Sequence, residues 1–113
     1  MRPWDRTYPI TYDGRVFAVD TPGHVPGHLA VVVRTGTVTY LLVGDATYDQ
    51  VLLDAELTDG VNKAPRQAIE TMRRIKEFAR TEPVVLLPAH DPCAAQRLAT
   101  NTIYSPSPLT SAP

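Results

Sequence analysis

The sequence predicts an α/β (α+β) fold: a mixed sheet carrying one main helix. Three observations support this. Two apolar, strand-forming runs, 29–34 and 38–43, are joined by the short link Thr35-Gly36-Thr37, as in an antiparallel hairpin. Downstream, Ala68, Met72, Ile75 and Ala79 recur at spacings of three and four, with Ile69 and Phe78 beside them, which is the period of an amphipathic helix. A third apolar run, 84–87, is bracketed by Pro83 and Pro88 and reads as a buried strand.

The elements follow in order. Residues 15–19 come after the turn signal Asp13-Gly14, are rich in strand formers and stop at Asp20-Thr21-Pro22. The hairpin is next. The segment before the helix is acidic, with Asp49, Asp54, Glu56 and Asp59, and reads as a surface connection over the mouth of a pocket. The helix is predicted over 63–80, with Asn62 as N-cap, Pro65 in the first turn and Pro83 as its stop. Arg66, Arg73, Arg74 and Lys76 fall on its solvated face. Three of the eleven prolines lie in the last eight residues, so 104–113 is predicted to be a disordered tail behind a folded unit of 1–103.

Topology brings three loops together. If 15–19, 29–34 and 38–43 form a meander, the first and third of these run parallel, and a crossover through the helix makes 84–87 parallel to them as well. Three strands then end on one edge. Just beyond those ends lie His24, Asp45 and His90, on the side where sheets of this kind bind ligands.

Each of these residues has an ordinary reading. Thr21-Pro22-Gly23-His24-Val25-Pro26-Gly27-His28 is a stiff Pro-Gly loop with two imidazoles, Asp45 after Gly44 suits a turn cap, and His90 follows a strand end. Taken together, His, Asp and His form a ligand set that zinc and similar borderline cations accept. His28, further along the same loop, is read as orienting or packing rather than binding metal.

In order, Thr21 to His28, Gly44-Asp45-Ala46-Thr47-Tyr48, the helix, and Leu87-Pro88-Ala89-His90-Asp91 resemble the C-terminal half of the metallo-β-lactamase fold superfamily, in particular its N-acyl-homoserine-lactone lactonase-like hydrolases. The resemblance covers about residues 12–98 and implies half of an αβ/βα sandwich. It also implies a dinuclear metal site, commonly zinc, with His24 on one metal, Asp45 bridging both and His90 on the other. Tyr48 matches a tyrosine that hydrogen-bonds substrate. The implied activity is hydrolysis of an ester, lactone or similar acyl bond by metal-bound hydroxide, on a small-molecule substrate. The family's His-x-His-x-Asp-His segment is absent, and the chain's three histidines are already accounted for. The expectation is therefore a truncated or separated half-domain. Alone it would be inactive, would bind metal weakly, and would need a partner half or self-associate through an exposed apolar face.

Composition narrows the classes further. Eleven Lys and Arg against twelve Asp and Glu give a net charge of −1, which provides no basic face for nucleic acid or anionic lipid. The apolar runs fall far short of the ~20 residues that span a bilayer. A single cysteine, Cys93, excludes an intrachain disulfide and has no second cysteine for a metal motif. Met-Arg-Pro-Trp-Asp-Arg does not read as a secretory leader, so the expected location is cytoplasmic.

Overall fold

Strand formers punctuated by turn residues give an antiparallel meander of four strands: β1 (Thr7–Pro9), β2 (Val16–Asp20), β3 (Leu29–Arg34) and β4 (Thr39–Gly44). The chain continues through α1 (Gln50–Ala55) and α2 (Pro65–Thr81) to β5 (Val84–Pro88) and ends in α3 (Ala94–Thr100). This computed structural model describes residues 4, 6–23, 27–47, 50–56 and 65–105. The sheet order is β1-β2-β3-β4-β5, antiparallel except for the parallel pair β4–β5. The sheet is therefore mixed, and β2, β4 and β5 point the same way, as the meander argument requires.

Strand period selects the core. Val19, Ala30, Val32, Leu41, Val43, Val84 and Leu86 are fully buried, and Phe17 packs against the same cluster. Against them lie Leu53 of α1 and Met72, Ile75, Phe78 and Ala79 of α2, with Trp4 tilted against Phe78 at 5.5 Å. On the opposite pleat the side chains are less covered. Leu29 and Leu42 are exposed, and Val31, Val33 and Tyr40 are half-buried. At the other end of the sheet, Arg34 forms a fork with Glu82 (3.0 and 2.8 Å) and lies over the Phe17 ring. Thr39 Oγ1 donates to the same carboxylate. Burial alone would raise the Glu82 pKa, but Arg34 and Thr39 outweigh it and hold the carboxyl below its usual range.

The tertiary structure adds three elements to the sequence reading. β1 is a short exposed strand paired to β2. α3 supplies Arg97, whose guanidinium donates to Leu86 O at 3.1 and 3.0 Å. The acidic segment before α2 is not simply a surface connection: Leu53 in α1 is fully buried. Nor does Lys76 lie on a solvated face. Its side chain is 2 % exposed, and Nζ reaches Glu56 Oε2 at 2.9 Å and Asp54 O at 3.2 Å. Hydrophobic period counts only apolar positions, so it assigns every cation on a helix to water. It cannot register a carboxylate brought in by a neighbouring helix. The predicted N-cap, Asn62, lies outside the described residues.

Tyr104, predicted as the first residue of the tail, is instead part of the core. Tyr104 is buried, its amide donates to Val84 O at 2.8 Å, and its hydroxyl donates to Asp54 Oδ1. Residues 106–113 lie outside the described residues. Burial, together with Asp54, pushes the Tyr104 phenol far above its ordinary pKa, so the ring stays neutral and donates. Replacing Tyr104 by Phe keeps the packing and removes the hydrogen bond to a carboxylate. The expected loss is about 1–2 kcal/mol, read as a lower urea midpoint at unchanged m-value.

Candidate functional site

Gly44 closes β4 in the left-handed region, at φ 56, and there the chain leaves the sheet. A Cβ on this residue would stand 3.1 Å from His28 Nε2 and 3.3 Å from Cε1, so the absence of a side chain is what admits the imidazole. The next backbone amide, that of Asp45, donates to His28 Nε2 at 3.3 Å. The ring's other nitrogen, Nδ1, lies 2.7 Å from the hydroxyl of fully buried Thr21. His28 thus ties the end of β2 to the end of β4.

The ends of β4 and β5 are tied as well. Gly44 pairs with Pro88 in the parallel ladder, and the Ala89 amide donates to Gly44 O at 2.9 Å. Asp45 therefore sits one residue, and His90 two, beyond paired positions on adjacent strands. Their side chains meet, with His90 Nε2 at 2.9 Å from Asp45 Oδ1. Both are partly open to solvent, at 53 % and 37 % exposure. The turn that carries His90 is held from behind. Asp91 is almost fully buried, accepts from the Cys93 amide at 2.8 Å and pairs with Arg97 at 2.8 Å. Sequence reasoning passed over this Asp91–Arg97–Leu86 clamp. Its only signal was an aspartate directly after the candidate histidine, and an arginine six residues later has no local reason to return to it.

Of the sequence-predicted site residues, the structure brings Asp45 and His90 together. His24 and Tyr48 lie outside the described residues. Among the described residues, no cluster of three or more His, Cys, Asp or Glu side chains is placed to hold an ion. A carboxylate oxygen and an imidazole nitrogen at one point are nevertheless donors that a borderline dication takes, and they supply two of the ~four that a tetrahedral ion needs. The described residues fit such an ion as part of its shell. Among the described residues, no helix is long and apolar enough to cross a membrane.

Similarity to known proteins places this sheet edge in context. The chain is 26% identical over 91 residues to the N-acyl homoserine lactonase AttM of Rhizobium radiobacter, a match covering 80% of this chain and 35% of that protein. A solved N-acyl homoserine lactone hydrolase, with the product N-hexanoyl-L-homoserine bound at its catalytic metal centre, superposes with a TM-score of 0.68 at 26% identity. That match covers 82% of this chain and 36% of the other. A quorum-quenching N-acyl homoserine lactone hydrolase gives a TM-score of 0.67 at 28% identity, over 76% of this chain and 35% of its own. The chain thus spans about a third of the length of the relatives it matches. The family model of the metallo-beta-lactamase superfamily matches residues 1–90, four-fifths of the chain and every strand of the sheet. With the lactonases sharing both sequence and sheet, the chain belongs to the metallo-beta-lactamase superfamily.

Proposed function

We propose that this chain forms part of a metal-dependent hydrolase acting on a lactone, ester or similar acyl bond, with Asp45, His90 and His24 as metal ligands. The single observation that carries the reading is the meeting of Asp45 Oδ1 and His90 Nε2 at 2.9 Å, at the ends of adjacent parallel strands. The relatives' names support the substrate class: they are lactonases of N-acyl homoserine lactones, and one holds its product at a catalytic metal centre. Zinc is the cation that the His and carboxylate donors suit. When bound, it supplies Lewis acidity toward the acyl carbonyl and acidifies water.

This chain's own residues do the holding. A dication at this point would take a lone pair from His90 Nε2 and from Asp45 Oδ1, which now stand 2.9 Å apart. The Asp91–Arg97 clamp keeps the His90 turn against β5, and Gly44 keeps Asp45 beside it. Tyr48, three residues after Asp45, is assigned to substrate rather than metal. With two metal positions sharing these few donors, the chain alone is proposed to hold zinc weakly and to require the complementary part of the fold for turnover.

The test is zinc titration of the chain beside lactone hydrolysis. Asp45→Asn and His90→Ala are each expected to weaken zinc uptake by at least about tenfold, while Tyr48→Phe leaves it unchanged. Hydrolysis by the chain alone is expected not to exceed that of His24→Ala. If Asp45→Asn keeps full zinc affinity, Asp45 is not a ligand. Zinc-dependent turnover by the chain alone that is lost in His24→Ala would show that the chain needs no complement.

A further inference from the structure

The geometry points to His28 as a positioning residue for Asp45, held in one tautomer by Thr21. Its consequence for metal binding rests on the reading of Asp45 as a ligand; the brace itself does not.

The hydrogen bonds admit one assignment. The Asp45 amide carries a proton and must donate, so His28 Nε2, at 3.3 Å, is the bare nitrogen. In the neutral ring the proton then sits on Nδ1, which donates to Thr21 Oγ1 at 2.7 Å. The threonine hydroxyl, having accepted, donates its own proton to His28 O at 3.3 Å, and the Thr21 amide donates to the same carbonyl at 3.0 Å. Every donor in the set finds an acceptor. Thr21 is fully buried, so this orientation does not exchange with water.

Two further features agree. Gly44 offers no Cβ where one would stand 3.1 Å from His28 Nε2, so the ring reaches the Asp45 amide directly. Asp20 and Leu29 are register partners in β2 and β3, which fixes both ends of the 21–28 loop to the sheet. The brace therefore runs from a rigid ladder to the one backbone amide that decides where the Asp45 carboxylate begins. His28 touches no reacting atom in this scheme. It acts through Asp45, as an outer partner that orients a ligand.

Amide exchange in the full ¹⁵N-labelled chain tests this, with the Ala46 amide, bonded to Val43 O, as internal reference. His28→Ala is expected to speed exchange at Asp45 by about tenfold or more relative to Ala46. Two conservative variants separate the ring's atoms. His28→Gln puts an oxygen near the Nε2 position and is expected to keep Asp45 protected. His28→Asn reaches only as far as Nδ1 and is expected to lose that protection. Thr21→Val frees the ring and is expected to fall between them. Zinc titration of the same proteins is expected to show affinity weakened by about 10–100-fold in His28→Ala and restored in part by His28→Gln.

Unchanged Asp45 exchange in His28→Ala overturns the brace, as does equal exchange in His28→Gln and His28→Asn, a comparison that stands even if the alanine variant does not fold. Zinc affinity that falls with His28 while Asp45 exchange stays constant also overturns it. If Asp45 exchange follows His28 but the wild-type chain takes up no zinc, the brace holds, and it is the reading of Asp45 as a ligand that fails.

Discussion

Replacing Glu56 by alanine is expected to destabilise the chain by about 3–5 kcal/mol, the usual cost of leaving a buried charge without its partner. Lys76 is 2 % exposed, and its ammonium is held by Glu56 Oε2 at 2.9 Å and Asp54 O at 3.2 Å. Without the carboxylate, the ammonium must lose its proton, drag α1 away from α2, or stay charged against one carbonyl. The same carboxylate takes Arg73 at 2.8 Å, but Arg73 is largely exposed, and that contact contributes well under ~1 kcal/mol. Lys76→Met fills the space without a charge and is expected to cost far less. The double variant Glu56→Gln, Lys76→Met should recover most of the loss, so that urea unfolding yields a large coupling energy between the two positions. A loss below about 1 kcal/mol in Glu56→Ala would mean that water reaches Lys76.

The same pair sets a pH dependence. Burial alone would raise the Glu56 pKa, but Lys76 and Arg73 outweigh it and hold the carboxyl below the usual range. A carboxyl depressed in the folded state contributes stability above its unfolded value of about 4.3, and that contribution is lost as pH falls through the folded value. Stability should therefore fall on acidification below about pH 4–5, and less steeply in Glu56→Gln than in the wild type. Glu82, held down by Arg34 and Thr39, adds to the same acid limb.

Gly23→Ala is expected to cost about 3 kcal/mol or more, combining backbone strain with overpacking. Gly23 sits at φ 136, a conformation that side chains rarely adopt, and a Cβ there would fall 2.6 Å from Ala68 Cβ. The neighbour cannot yield. Ala68 is itself buried in α2, and Thr71, one turn on, anchors the helix to the loop by donating to Pro22 O at 2.7 Å. Shrinking Ala68 to glycine removes only its Cβ and leaves the nearer Cα, and the backbone N at 2.7 Å, against the added methyl, so Gly23→Ala, Ala68→Gly is expected to remain less stable than Ala68→Gly alone. A wild-type melting temperature in Gly23→Ala would show that the loop and α2 are not in contact.

Features that depend on local period can be read from the residues alone. The hairpin, the main helix and the run at 84–87 are legible because burial on one face writes an apolar repeat into the chain. The parallel alignment of β2, β4 and β5 followed from strand count and crossover length, and with it the placement of Asp45 and His90 on one edge. Contacts between residues distant in sequence emerge only in the folded chain. Glu56 and Lys76 are twenty residues apart and read separately as two surface charges; their pairing exists only because Leu53 draws α1 into the core. Tyr104 reads as the first residue of a proline-rich tail, yet it is buried in the core and its hydroxyl donates to Asp54, fifty residues earlier. His28 reads as an orienting or packing imidazole with no partner named, until β2 and β4 bring Thr21 and the Asp45 amide to its two nitrogens. Periodicity records where apolar side chains point, whereas a polar residue's partner leaves no mark until the chain has closed on itself.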